Sequence, residues 1–133
     1  MAVIELRLDA RPEAVGRARK AVDALADDLP EPLLDDLRLM ISELVTNCLR
    51  HGRLGPEDPI EVFVDATEDR VRVEVVNPGA GFRPPGSQPT MYQTSGWGLF
   101  LVSRLADRWG VEGRDGTRVW LEVDSQARRT RAG

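Results

Sequence analysis

The feature that most narrows the fold of this chain is an apolar stripe between residues 33 and 51. Leu34, Leu37, Met40, Ile41, Leu44, Val45 and Cys48 recur at three- and four-residue steps, the spacing of one face of an α-helix. A helix with so wide an apolar face must lay it against a second layer of structure. That layer is legible downstream. Ile60, Val62, Val64 and Ala66 alternate with polar residues, and so do Val71, Val73 and Val75; period-two alternation marks half-buried strands. The short Glu68-Asp69 link makes the two strands an antiparallel hairpin.

The remaining segments extend the same plan. Ile4 to Asp9 alternates and reads as a strand. Pro12 suits a first helical turn, and Val15, Ala18, Val22, Leu25 and Leu29 then predict a single helix ended by Pro30 and Pro32. Gly52 is a fitting cap for the helix that follows. A short helix from Gly98 to Arg108 turns Leu99, Val102, Leu105 and Ala106 inward. Trp109–Glu112 and Thr117–Val123 form a last hairpin around Asp115-Gly116. Trp97, Trp109 and Trp120 are read as packing residues. The fold class is therefore α+β, a two-layer sandwich of helices on a mostly antiparallel sheet.

Length and charge bound the function. The 133 residues make one domain, expected over 1–124, with a small, polar and basic tail at 125–133 that frays. Eighteen basic residues against 22 acidic leave a net charge of −4, which gives no field for direct nucleic-acid binding. One cysteine, Cys48, and one histidine, His51, exclude an internal disulfide and a dedicated zinc site. No apolar run is long enough to span a bilayer and no signal-peptide core opens the chain, so the expected protein is soluble and cytoplasmic, with no membrane partner.

Chemistry can reside in three places. Glu43 and Asn47 are four residues apart and share one helix face at the flank of the apolar stripe, beside Met40. An amide oxygen is a hard neutral ligand for Mg²⁺, and a carboxylate beside it can orient or deprotonate a nucleophile. The same spacing also fits two ordinary surface residues. The second place is Asn77-Pro78-Gly79-Ala80-Gly81, directly after a strand, where glycines let the backbone approach a planar ligand. The third is Gly96-Trp97-Gly98-Leu99 at a helix start, a phosphate-binding arrangement; each glycine pair is also compatible with a tight turn. Between the pairs runs a segment with Pro84, Pro85, Pro89 and Gly86, where regular structure is not expected.

In this order the residues resemble the histidine-kinase-like (GHKL) ATPases. Glu43-Leu44-Val45-Thr46-Asn47 through His51-Gly52 is similar to that superfamily's N box. Asn77 to Gly81 is similar to its first glycine box, Gly96 to Leu99 to its second, and Gly116-Thr117 to the Gly-Thr of its last hairpin. Within the superfamily, the wording Glu-Leu-Val-Thr-Asn-x-x-x-His-Gly most resembles the bacterial anti-sigma-factor serine/threonine kinases. The resemblance implies a Bergerat ATP-binding fold with ATP and Mg²⁺ as cofactors. Asn47 would bind the metal and Glu43 would be the catalytic base. Asn77, Gly79, Gly81 and Thr117 would surround the adenine. Residues 83–95 would form a lid, and Gly96, Trp97, Gly98, Leu99 and Arg50 would lie towards the phosphates. Partners would be a sigma factor and a small antagonist protein, with a homodimer as the candidate assembly. A packed helix-end residue is preferred for His51 over a phosphate acceptor. The function implied is phosphotransfer from Mg-ATP to the antagonist. A nucleotide-gated module that sequesters a partner without turnover is the alternative, and a detached histidine-kinase ATPase subunit a third reading. One position departs from the pattern: the first glycine box of the family begins with Asp, and here it begins with Asn77. An ionised carboxylate only accepts hydrogen bonds, whereas an amide accepts or donates.

Overall fold

A computed structural model describes residues 2–51, 57–78, 97–113 and 116–125, with only the backbone described at residues 51, 97–99 and 116. Five strands, β1 (Ala2–Asp9), β2 (Pro59–Ala66), β3 (Arg70–Pro78), β4 (Arg108–Gly113) and β5 (Gly116–Asp124), form one sheet in the order β1-β2-β3-β5-β4. Every neighbouring pair is antiparallel. Among the described residues three α-helices, α1 (Glu13–Ala21), α2 (Glu31–His51) and α3 (Trp97–Leu105), cover one face. The helix α2 runs the length of the layer: its 21 residues span about 32 Å at about 1.5 Å per residue. It packs against α1 on one side, α3 on the other and β3 beneath.

The core lies between the layers and follows the two periodicities. Leu33, Leu34, Leu37, Met40, Ile41, Leu44, Val45 and Cys48 of α2 are buried. Opposite them are Ile60, Val62 and Val64 of β2, Val71, Val73 and Val75 of β3, and Val119, Leu121 and Val123 of β5. Burial of a side chain of this size contributes about 1.5–3 kcal/mol, so this interface dominates the stability. Burial also pushes the Cys48 thiol up to about 12, which leaves it an inert core residue. No described helix is long and apolar enough to cross a membrane.

Three expectations are corrected. The helix expected to run to Leu29 ends at Ala21 and tightens into a 3₁₀ turn at Val22–Leu25. Val22, Leu25 and Leu29 are still buried, because a three-residue repeat keeps positions 22 and 25 on one side. The helix expected to reach Arg108 stops at Leu105, and Arg108 opens β4. Ser125, expected to begin the tail, is buried; its hydroxyl donates to the Glu68 carbonyl at 2.8 Å and its N–H to the Asp69 carbonyl at 2.8 Å. These bonds tie the end of β5 to the β2–β3 turn. Residues 126–133 of the expected tail and Gly52, the expected cap, lie outside the described residues.

The opposite sheet face carries an arginine–carboxylate network across β3, β5 and β4. Glu122, 9% exposed, accepts from Arg72 Nη1 at 2.9 Å, Arg108 Nε at 2.9 Å and Arg70 Nη1 at 3.4 Å. Arg72 also donates to Glu74 at 2.9 Å and stacks on the Trp120 ring at 4.6 Å. The guanidinium groups of Arg108 and Arg72 hold the Glu122 carboxyl below its ordinary value. A carboxyl depressed in the folded state stabilises the fold fully above its unfolded value, about 4.3, and loses that contribution as pH falls through the folded value. Glu122→Gln is therefore expected to destabilise the protein at pH 7 and to flatten the fall in stability below about pH 4.3. Urea unfolding of both proteins from pH 3 to 7 checks this; parallel curves would show that Glu122 is not a major contributor.

Candidate functional site

The strand alternation that builds the core also builds the site. Along β3, Val71, Val73 and Val75 face the helices, and the next residue on that face is Asn77. Its Cα partner on β5 is Thr117, two residues before core residue Val119. Asn77 and Thr117 thus sit side by side where the apolar rows of β3 and β5 give way to polar residues, with their side chains in the helix-facing layer. On α2 the same change occurs. Asn47 follows Leu44 and Val45 and precedes Cys48, and it is buried with them.

All three are nearly sealed from solvent: Asn47 is 2% exposed, Asn77 4% and Thr117 1%. Each holds a buried polar atom without a hydrogen-bond partner among the described residues, namely Asn47 Nδ2, Asn77 Oδ1 and Thr117 Oγ1. A buried unpaired polar group costs about 1–3 kcal/mol, so three on the helix-facing side of one small domain call for an explanation. Packing gives none, because valine would fill Thr117's place without the cost. A polar ligand that supplies the missing partners does. The chain contains only two asparagines, and both stand in this set.

Other expected site residues are placed as follows. Glu43 is half-buried on α2, one turn before Asn47, where i,i+4 side chains are neighbours about 5–6 Å apart at Cβ. Arg50 is exposed. Trp97, Gly98 and Leu99 form the first turn of α3, whose backbone N–H groups are free of intrahelical partners by the geometry of a helix start. Gly79, Gly81, Gly96 and the segment 83–95 lie outside the described residues. His51 is the last residue of α2. Trp109 lies exposed on β4, and Trp120 carries the Arg72 stack on the far sheet face.

The donor set fits a nucleotide with its metal. Asn77 Oδ1 is an unpaired acceptor and Thr117 Oγ1 an unpaired hydroxyl, both suited to the polar edge of a base. A half-turn of the Asn47 amide exchanges its oxygen and nitrogen, so the same buried position can present a hard oxygen to a divalent cation. Mg²⁺ takes one or two protein oxygens and completes its shell with phosphates and water. What the spacing of Glu43 and Asn47 left open, the burial and the unpaired amide of Asn47 narrow: this is not an ordinary surface residue.

The family model for the histidine kinase-like ATPase domain matches residues 8–123. A serine-protein kinase RsbW of Listeria innocua is 30% identical over 118 residues, an alignment covering 78% of this chain and 75% of the relative. The serine-protein kinase RsbW of Bacillus pumilus is 28% identical over 133 residues, covering 88% of this chain and 82% of the relative. Among solved structures, the histidine kinase domain of the Erythrobacter litoralis EL346 blue-light activated histidine kinase superposes with a TM-score of 0.57 at 19% identity. That match covers 87% of this chain and spans 61% of the other, and it supports the fold: helices on a mixed-order antiparallel sheet.

The unpaired hydroxyl yields a direct test. Thr117→Val removes a polar atom that has no partner among the described residues, so its urea midpoint is expected to stay level or rise. Nucleotide affinity is expected to fall in the same variant. A loss of stability above about 1 kcal/mol would instead show that the hydroxyl is bonded within the fold.

Proposed function

The chain belongs to the histidine kinase-like ATPase family, and from that premise we propose that it is an ATP-dependent serine/threonine protein kinase that acts as an anti-sigma factor. The observation that carries this reading is the set of unpaired buried atoms on Asn47, Asn77 and Thr117, with Glu43 one turn before Asn47. The similarity to serine-protein kinases over 78% and 88% of the chain supports the phosphotransfer. In this reading the partners are a sigma factor and a small antagonist protein bearing the acceptor serine or threonine, all in the cytoplasm.

The roles are those that the family resemblance implies. Mg-ATP would supply the phosphoryl group. Asn77 and Thr117 would hold the base edge together with Gly79 and Gly81. Asn47 would hold the metal. Arg50, Gly96 and the first turn of α3, Trp97, Gly98 and Leu99, would face the phosphates, where helix N–H groups favour anions. Glu43, one turn before Asn47 on α2, would receive the proton of the attacking hydroxyl, a task suited to a carboxylate. Phosphoryl transfer needs mainly positioning and charge stabilisation, and a rigid helix on a packed sheet supplies the first. Residues 83–95 would cover the nucleotide.

Incubation with labelled ATP and candidate antagonist proteins tests the activity. Label on serine or threonine of one antagonist supports the kinase. Nucleotide-dependent, stoichiometric binding without label would favour the module that sequesters a partner. Two variants separate the roles. Glu43→Ala is expected to keep Mg-ATP affinity within a few-fold and to lower transfer by about 10²–10⁴-fold. Asn47→Ala is expected to lose Mg-ATP affinity itself, because alanine offers no inner-sphere oxygen. Undiminished transfer in the first, or unchanged affinity by calorimetry in the second, would contradict the assignment.

A further inference from the structure

We propose that the base-reading end of this site accepts 6-oxopurine nucleoside triphosphates about as readily as 6-aminopurine ones. This rests on the reading of Asn77 and Thr117 as the residues that hold the base. The two are Cα partners on adjacent strands, and each keeps an unpaired buried polar atom, Asn77 Oδ1 and Thr117 Oγ1. Both groups are neutral, and both can take either hydrogen-bonding role. A half-turn of the carboxamide presents N–H₂ where the oxygen stood, and the hydroxyl donates or accepts as its proton rotates.

A carboxylate would remove that freedom, and among the described buried residues none stands beside Asn77 and Thr117. The buried polar residues described are Asn47, Asn77, Thr117, Glu122 and Ser125. The single acid among them, Glu122, alternates with Leu121 and Val123 and so points to the far face, where Arg72 and Arg108 bind it at 2.9 Å each. Residues 78–98, which follow Asn77 and include both glycine pairs, contain no Asp or Glu. Among the described residues the base edge is therefore met by neutral groups that adapt.

The consequence is one of selectivity. A site built to pair with one substrate group rejects an analogue because its own buried groups are then left unpaired. A fixed carboxylate does this to a 6-oxo group, since oxygen faces oxygen with no proton between. The Asn77 amide donates to that oxygen or accepts from a 6-amino group, and Thr117 matches a ring nitrogen or a ring N–H by rotating its hydroxyl. At the position of the unpaired Asn77 atom either purine finds a partner, so the penalty that a fixed acceptor imposes on a 6-oxo group is reduced.

Inosine triphosphate is the cleanest probe, because it differs from ATP at the 6-position and its adjoining ring nitrogen and lacks the 2-amino group of GTP. Calorimetric titration of the native protein with Mg-ATP, Mg-ITP and Mg-GTP is expected to place ITP within about tenfold of ATP, with the same ratio at pH 6 and pH 8; tenfold is about 1.4 kcal/mol. In Asn77→Asp the preference for ATP over ITP is expected to widen by about tenfold or more, as a charged acceptor replaces an adaptable one. A native preference for ATP above about a hundredfold would overturn the proposal, and so would an unchanged ratio in a variant shown folded by circular dichroism. If Asn77→Asp does not fold, the native ratio alone decides. Binding of ATP with exclusion of ITP would sink this proposal and leave the nucleotide site standing; binding of no triphosphate would overturn both.

Discussion

Burial of one face of α2 against the sheet is the interaction on which everything else depends. The helix contributes eight fully covered side chains, from Leu33 to Cys48, and the central strands β3 and β5 contribute valines and Leu121 opposite. Because the helix period is 3.6 and the strand period is 2, this packing dictates more than stability. It decides that position 47 on the helix and positions 77 and 117 on the strands all turn inward. Polar residues at those positions are buried by the same geometry that buries their apolar neighbours. The cost of leaving them unpaired is borne by the surrounding core, whose aliphatic side chains each contribute about 1.5–3 kcal/mol.

The two faces of the sheet handle polarity in opposite ways. On the far face charge is dense and paired: Glu122 and Glu74 are clasped by Arg70, Arg72, Arg108 and Arg118, with Arg118 donating to Glu74 at 2.7 Å. Those groups have their partners within the chain, and the arrangement serves strand order. On the helix-facing side Asn47, Asn77 and Thr117 are neutral, and each keeps a buried polar atom unpaired among the described residues. Hydrogen-bonding capacity held back inside a rigid frame is what a preorganised binding site requires, since little of the frame must reorganise when the ligand arrives. The position of Glu43 completes the division: a half-buried carboxylate on α2 lies one turn from a buried amide and outside the arginine network.

Much of this was legible before any coordinates. The stripe from Leu34 to Cys48 and the alternations at 60–66 and 71–75 determine the layers, and the hairpins follow from their short links. The sequence singled out Asn47, Asn77 and Thr117, and the fold buries all three. Local spacing could not reveal where α1 gives way to a 3₁₀ turn, because Val22, Leu25 and Leu29 satisfy either winding. Nor could it show that Ser125 is anchored, since its partners are carbonyls of a turn 56 and 57 residues earlier. The far-face network escaped for the same reason: Arg72 and Glu122 are 50 residues apart in the chain and meet only across a strand pair. The unpaired state of Asn47, Asn77 and Thr117 is a property of three-dimensional packing and has no signature in sequence spacing.

The central claim is that these three buried polar groups are held for a nucleotide. Since Asn47 and Asn77 are the only asparagines, selective ¹⁵N-asparagine labelling yields two side-chain amide pairs, one on the helix and one on the sheet. Their proton–nitrogen spectrum during titration with Mg-ATP reads the claim directly. Both pairs are expected to shift together and saturate at one nucleotide per chain, with the Asn47 pair responding further when Mg²⁺ replaces chelator. Saturation of the protein with Mg-ATP while both side-chain pairs stay at their free positions would contradict it.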